Sequence, residues 1–135
     1  VRKVHDFLTV GAAAPLQVAA GEALKSGSEY YQELADFYLE RRDFLFGQLQ
    51  QAGFDCIKPR GAYYIMADIR PFGWDDDVAM AFYLAQEIGV AVVPASSFYR
   101  EGRPEGKNYI RFCFCKQLST LQAAAERLMK LTAKK

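Results

Sequence analysis

The spacing of apolar residues predicts two helices in the first third of the chain. Residues 16–24 follow Pro15, a residue well placed at the start of a helix, and form a short apolar segment. A Ser-x-x-Glu box from Ser26 to Glu29 then predicts the start of a long helix, which we expect to end at Gly53. Its apolar positions form two rows and are Tyr30, Leu34, Phe37, Tyr38, Phe44, Leu45 and Leu49. Because this face is wider than one core needs, we expect the helix to pack against two neighbours.

After this helix the pattern changes to short segments rich in β-branched and aromatic residues. They predict four strands, at residues 54–57, 62–69, 90–93 and 108–115. A further helix is predicted at residues 78–88, ending at Gly89. A Ser-x-x-Gln box at Ser119 predicts a terminal helix that runs to about residue 133.

The order of these elements is helix, helix, strand, strand, helix, strand, strand, helix, which predicts an α/β fold. We expect a two-layer sandwich in which helices cover a mostly antiparallel or mixed sheet. Residues 95–107 contain two glycines and a proline and are predicted to be the long loop of the domain.

The composition narrows the class of protein. A chain of 135 residues with 51% hydrophobic residues can bury the core of one ordinary domain. Its formal net charge of +1 gives no reason to expect nucleic acid or an anionic membrane as a partner, and no apolar run is long enough to span a membrane. The three cysteines, Cys56, Cys113 and Cys115, fit neither a disulfide framework nor a paired zinc motif, so we expect a cytoplasmic protein.

Two groups of residues are candidates for chemistry. The carboxylates of Asp75–Asp77 lie at the start of a predicted helix, where they can accept hydrogen bonds from the free backbone N–H groups and interact favourably with the helix dipole. We therefore expect them to cap the helix and not to form a metal site. Arg111 lies on the predicted last strand, where alternation puts it on the face opposite Ile110 and Phe112. Such an arginine either snorkels or pairs with a carboxylate of the protein, or it binds a substrate carboxylate with its planar fork. The pattern alone favours the first role.

Three segments carry a more specific pattern. They are Gly89–Tyr99 followed by Tyr109–Phe114, then Pro59–Tyr64 together with Asp68, and finally Val4–Gln17. Together they resemble the class I/II, fold-type I aminotransferases that depend on pyridoxal phosphate. The resemblance runs from about residue 4 to about residue 131, in the order and spacing of that family.

The resemblance implies a role for Arg111, because the matching arginine of the family binds the α-carboxylate of the amino acid. It also implies that Phe98 and Tyr99, in the loop before this strand, contribute to the substrate site. The match begins downstream of the family's Schiff-base lysine, so we expect no catalytic or cofactor-binding residue in this chain, and Lys58, Lys107 and Lys116 are interpreted as solvated lysines. Pyridoxal phosphate is expected in the full-length parent and not on this chain.

The same resemblance implies that the chain is the C-terminal small domain of the enzyme. Residues 1–28 would link it to an absent cofactor domain, and residues 29–135 would form the small domain itself. The expected partners are an amino acid and a 2-oxo acid, the large domain of the same protein and a second copy in a homodimer. A non-catalytic ligand-binding or regulatory module, including the aminotransferase-like domain of a regulator, stays an alternative. The sequence does not indicate which amino acid is the substrate.

Overall fold

The computed structural model describes residues 3–5, 11–100 and 103–131. The chain divides into two compact units, Val1–Ala35 and Asp36–Lys135. The first unit contains helix α1 (Ala14–Ala23) and the first turns of helix α2 (Ser28–Gln51). The proposed boundary between residues 28 and 29 falls at the start of α2 and stays a prediction.

Helix α1 begins where the sequence predicts, with Pro15 in its first turn. None of its residues is buried, and Leu16 and Val18 are both exposed. Segment Asp6–Val10, part of the sequence similar to the aminotransferases, lies outside the described residues.

Helix α2 carries one side of the core in the second unit. Leu45 and Leu49 are buried, one turn apart on the same face, which confirms the predicted period. The helix ends at the predicted place, because Gly53 adopts a left-handed backbone with φ of 100°. The N–H of Phe54 then donates to the carbonyl of Leu49, 3.0 Å away, and starts the first strand.

The sheet has four strands and is antiparallel throughout, as predicted for the fold class. The strands are β1 (Asp55–Ile57), β2 (Tyr64–Asp68), β3 (Val93–Pro94) and β4 (Tyr109–Cys113). Their order across the sheet is β1-β2-β4-β3, so β4 lies between β2 and β3.

The core lies on one face of this sheet. Ile65 and Ala67 of β2 are paired with Phe112 and Ile110 of β4, and all four are buried. The alternation predicted for the last strand is therefore confirmed. The helices add Leu45, Leu49, Met80, Leu84, Leu121 and Leu128 to this core.

All four strands are shorter than predicted, and the reason is visible for β2 and β3. Strand β2 begins at Tyr64 because Ala62 has a φ of 60°, a left-handed conformation that lies outside the β region and interrupts the regular ladder. Strand β3 consists of Val93 and Pro94 alone, since residues 90–92 form no ladder with β4 and line a cavity beside it.

The remaining helices differ from prediction in detail. Helix α3 (Asp77–Tyr83) continues into a π-helical turn, Leu84–Ile88, and ends at left-handed Gly89 as predicted. Helix α4 (Leu118–Leu128) starts one residue before Ser119, with Gln117 as its N-cap and no side-chain cap bond. The predicted box is wrong because the carbonyl of Gln117 already accepts the N–H of residues 120 and 121.

The predicted end of this terminal helix near residue 133 is also too late, since helix α4 ends at Leu128. Residue 133 itself lies outside the described residues. Within residues 3–5, 11–100 and 103–131, no helix combines the length and the apolar character needed to cross a membrane.

Candidate functional site

Arg111 lies in the middle of β4, a strand held on both sides. It is paired with Met66 of β2 and with Val93 of β3. Because Ile110 and Phe112 point into the core, the side chain of Arg111 stands on the opposite face of the sheet. A strand with two neighbours has little backbone freedom, so it can present a binding group in a fixed position.

Two aromatic rings contact the Arg111 guanidinium. Its Cζ lies 4.8 Å from the ring centroid of Tyr64 and 4.6 Å from that of Phe98. Tyr64 comes from β2, whereas Phe98 ends a 3-10 turn, Ala95–Phe98, that follows β3. Contacts between a cation and ring faces hold the guanidinium without using its N–H donors. These donors stay available for an anion.

Arg111 has no carboxylate partner in the part of the chain that the structure describes. Its Nε is buried and makes no hydrogen bond. Among the described residues, no other buried side-chain nitrogen or oxygen lacks a hydrogen-bond partner. A buried donor without a partner destabilises a fold by about 1–3 kcal/mol. No ion pair with a described residue therefore holds Arg111 in place.

The structure brings Phe98 to Arg111 and leaves Tyr99 apart from it. Tyr99 follows the 3-10 turn with an extended backbone, and its N–H donates to the carbonyl of Ser96 at 3.0 Å. Among the described residues its ring makes no contact with the Arg111 guanidinium. Both aromatic rings are exposed, at 59% for Phe98 and 49% for Tyr99.

A cavity of about 710 Å³ lies beside Arg111. Its wall is formed by residues 89–93, the end of β4 and one face of α4. Among the described residues, this wall includes three basic side chains, those of Arg111, Lys116 and Arg127, and no acidic one. The charge of this lining suits an anion better than a cation.

Asp76 and Asp77, two of the three carboxylates at the start of α3, have different tasks. Asp76 caps the helix as predicted, since its Oδ1 accepts the N–H of Val78 at 2.9 Å and of Ala79 at 3.0 Å. Asp77 differs from prediction, because it is buried and its Oδ2 accepts the N–H of Ser96 at 2.6 Å. Within the described residues, no group of three or more ligating side chains is arranged to hold a metal ion.

Asp68, the last residue of β2, binds Arg70, which lies two positions further along the chain. Its Oδ1 accepts both the backbone N–H of Arg70, at 2.9 Å, and Nε of the same arginine, at 3.0 Å. Burial by itself raises the pKa of Asp68, but the hydrogen bonds from Arg70 outweigh it and hold the pKa below its usual value. Asp68 is thus a charged structural residue at the edge of the sheet.

Arg41 on α2 is a buried arginine whose hydrogen bonds contrast with those of the half-buried Arg111. Its Nε donates to the carbonyl of Lys116 at 3.0 Å, which fixes the segment after β4. Its Nη1 donates to the carbonyl of Phe37 at 2.9 Å and to the carboxylate of Glu40 at 3.0 Å. The donors of Arg41 are engaged within the chain, as expected of a structural arginine.

Three lysines could be mistaken for a Schiff-base lysine. Nζ of Lys58 lies 2.9 Å from the carboxylate of Asp43, and Lys107 and Lys116 are exposed. A Schiff-base lysine has to lose its proton, which a solvated or ion-paired ammonium group resists. Lys58 is therefore ion-paired and Lys107 and Lys116 are open to solvent, and the interpretation that none of them forms the Schiff base stays a prediction.

Two residues of the site are not singled out by sequence reasoning. Alternation along β2 puts Tyr64 on one face, but its contact with Arg111 depends on the register between β2 and β4, which the pattern does not reveal. The bond from Ser96 to Asp77 joins residues 19 positions apart in different elements. No local spacing signals such a contact.

Comparison with known proteins gives one consistent result. The sequence pattern of the family described as aminotransferase class I and II matches residues 1–128. The methionine aminotransferase of Escherichia coli is 39% identical over 131 residues, which cover 97% of this chain and 33% of that protein. A probable N-acetyl-LL-diaminopimelate aminotransferase of Bacillus subtilis is 35% identical over 136 residues, which cover 100% of this chain and 33% of that protein.

Solved structures agree with these sequences. The N-succinyldiaminopimelate aminotransferase of Mycobacterium tuberculosis superposes with a TM-score of 0.86 at 33% identity, over 94% of this chain and 33% of that one. The structure of an E. coli protein with methionine aminotransferase function superposes with a TM-score of 0.83 at 39% identity, over 96% of this chain and 34% of that one. The chain therefore spans about a third of the length of its relatives. Since the family pattern covers nearly all of it, the chain belongs to the class I and II aminotransferase family.

Proposed function

We propose that this chain is the C-terminal small domain of a pyridoxal-phosphate-dependent aminotransferase, and that Arg111 binds the α-carboxylate of its substrates. The observation that carries the proposal is a guanidinium on a doubly paired strand, in contact with two rings and without a carboxylate partner in the described residues. A planar fork of N–H donors matches a carboxylate with two parallel hydrogen bonds. Amino acids and 2-oxo acids both carry this group, so one arginine serves both substrates.

The names of the relatives support the proposal that Arg111 recognises the α-carboxylate of the substrate and not one particular substrate side chain. They include methionine aminotransferase, kynurenine-oxoglutarate transaminase and N-acetyl-LL-diaminopimelate aminotransferase. These amino acids have different side chains and share an α-carboxylate. Arg111 fits the shared group, and we expect groups outside this chain to select the side chain.

Phe98 and Tyr99 are proposed to flank the substrate in the full-length protein. Phe98 already contacts the guanidinium, so its ring would cover one side of a bound carboxylate. The ring of Tyr99 is half exposed on the next residue and is free to meet a substrate or a neighbouring domain. Their aromatic character would exclude water from the ion pair and strengthen it.

We place the pyridoxal phosphate outside this chain. The cofactor needs a lysine for its Schiff base, a partner for its pyridine nitrogen and donors for its phosphate, whereas Lys58 is ion-paired with Asp43 and Lys107 and Lys116 are exposed. When it is bound in the parent, the cofactor would supply the electron sink for amino-group transfer. The task of this chain is then to bind and orient the substrate through Arg111.

The large domain of the same protein and a second copy of the protein are the proposed partners. Apolar side chains near the start of α2, among them Tyr30, Tyr31 and Leu34, are between 40% and 54% exposed. Exposed apolar patches of this kind are typical of interfaces. We further assign the parent to the cytoplasm, because the three cysteines are free thiols.

Steady-state kinetics of the full-length protein test the proposal. We expect transamination of an amino acid with a 2-oxo acid, and Arg111→Ala should reduce kcat/KM by about 100-fold or more while the protein keeps its bound cofactor. Arg103→Ala is the matched control, since Arg103 is an exposed arginine of the preceding loop that lies 3.4 Å from Glu105. Full activity in Arg111→Ala contradicts the role of Arg111. Ligand binding without turnover by the unaltered protein would favour the regulatory alternative.

A further inference from the structure

The position of Phe98 over Arg111 is not explained by burial of Phe98 itself. The ring is 59% exposed, so the core does not hold it. Its residue ends the short 3-10 turn Ala95–Phe98, whose N-cap, Pro94, makes no side-chain cap bond. The ring can stay over the guanidinium only if the backbone of this turn is fixed by something else.

The carboxylate of Asp77 is one group that fixes the turn. Asp77 is 2% exposed, and its Oδ2 accepts the backbone N–H of Ser96, inside the turn, at 2.6 Å. The helix does not need this carboxylate, because Asp76 already caps α3. No lysine or arginine of the described residues forms an ion pair with Asp77. A buried carboxylate is costly unless it is hydrogen-bonded, so its bond to the turn is a strong constraint.

Gly106 packs closely against the backbone of the same turn. A Cβ atom at Gly106 would lie 2.6 Å from both N and Cα of Ser96 and 2.8 Å from the carbonyl carbon of Ala95. Such a close approach of two backbone segments is possible only for glycine. The Asp77 carboxylate and the Gly106 backbone therefore both constrain Ser96.

We propose that Asp77 is a positioning residue that acts through the Ala95–Phe98 turn to hold Phe98 against Arg111. This inference rests on the proposed function of Arg111, whose guanidinium it prepares for a carboxylate. Asp77 does not touch the substrate. It fixes one of the two rings that keep the fork of Arg111 in place, while Tyr64 on β2 supplies the other.

The test is nuclear magnetic resonance of this 135-residue chain, with the unaltered chain compared with Asp77→Ala and Asp77→Asn. In the unaltered chain, the rings of Tyr64 and Phe98 should shift the δ protons of Arg111 upfield, and the Ser96 amide should exchange slowly. Asp77→Ala should speed exchange at Ser96 by about tenfold or more and return part of the Arg111 shift to its random-coil value. Asp77→Asn keeps an oxygen that can accept the same hydrogen bond, so it should rescue much of both signals.

Two comparisons make the result specific. Asp75→Ala is the matched control, because Asp75 is exposed at the same helix start and should leave both signals unchanged. In Asp77→Leu, the leucine side chain fills the space of the aspartate but has no hydrogen-bond acceptor. This variant replaces Asp77→Ala if Asp77→Ala does not fold. The proposal would be overturned if, in Asp77→Ala or Asp77→Leu, the Ser96 amide exchanged faster while the chemical shift of the Arg111 δ protons stayed unchanged.

Kinetics of the full-length protein separate this proposal from the proposed function. If both hold, Asp77→Ala should raise KM for the amino acid by about tenfold with a smaller effect on kcat, and Asp77→Asn should restore most of it. If Asp77→Ala alters the Arg111 resonances but Arg111→Ala leaves activity intact, then Asp77 positions the arginine and the role assigned to Arg111 fails. If Arg111→Ala removes activity and Asp77→Ala changes neither KM nor the resonances, only the positioning role fails.

Discussion

Replacing Gly106 by alanine should destabilise the chain, whereas the same replacement at Gly47 should stabilise it. The alanine Cβ at position 106 would lie 2.6 Å from N and Cα of Ser96, where non-bonded carbon atoms prefer about 3.5–4.0 Å. The atoms in the way are backbone, and the Ser96 N–H is tied to Asp77. One of the two segments has to shift, and overpacking of this kind costs about 1–3 kcal/mol.

Gly47 provides the opposite case on the same chain. It lies inside α2, is exposed, and a Cβ there would meet nothing within 4 Å. Alanine restricts the unfolded chain and favours the helix by about 0.5–1 kcal/mol over glycine. The two variants should therefore differ by about 1.5–4 kcal/mol in the free energy of unfolding.

Urea denaturation followed by circular dichroism and by the fluorescence of Trp74, the single tryptophan, measures both variants. With a slope of about 1–3 kcal/mol per molar urea, the midpoints should move in opposite directions by several tenths of a molar. A Gly106→Ala chain that is as stable as the unaltered chain would refute the reasoning, because it would show that the turn is free to move away from residue 106.

Three further predictions concern the core, one thiol and one carboxylate. Leu49→Ala should lower the free energy of unfolding by about 2–5 kcal/mol, since Leu49 is fully buried. Leu39→Ala, on the exposed side of α2, should change it by less than about 1 kcal/mol. Equal losses in the two variants would contradict the assigned core. Burial raises the pKa of the Cys56 thiol to about 11. In a variant whose other two cysteines are replaced by serine, alkylation of Cys56 at pH 8 should therefore be about tenfold slower in the folded than in the unfolded chain. Equal rates in the two states would disprove this prediction. The pKa of Asp68 is lowered in the folded state, so its ionised form stabilises the chain above about pH 4 and this stability is lost as the pH falls further. Asp68→Asn should therefore flatten the acid side of the stability curve, and an unchanged pH dependence would argue against the pairing with Arg70.

Local patterns predict the elements of this fold and the face of each residue. The 3.6-residue period located α2, and the alternation in the last strand separated Ile110 and Phe112 from Arg111. Left-handed Gly53 and Gly89 end helices as predicted because glycine adopts that conformation without strain.

Contacts between distant segments escape the same analysis. The sandwich of Arg111 with Tyr64 depends on strand register, and the bond between Asp77 and Ser96 depends on how a helix start meets a turn. Strand β3 is shorter than its apolar sequence suggests, because strand length is decided by the partner and not by propensity alone. The candidate site was located from one arginine, and the groups that hold this arginine became visible only in three dimensions.

The central claim is that Arg111 binds the substrate's α-carboxylate with a bidentate fork, and one comparison in the full-length protein tests it most directly. The measurement is kcat/KM for an amino acid and for the amine that lacks its carboxylate, in the unaltered protein and in Arg111→Lys. Lysine keeps the charge but not the fork, so the variant should lose about 2–4 kcal/mol of transition-state stabilisation with the amino acid and almost none with the amine. Equal losses with both substrates would contradict the claim and show that Arg111 is a structural arginine.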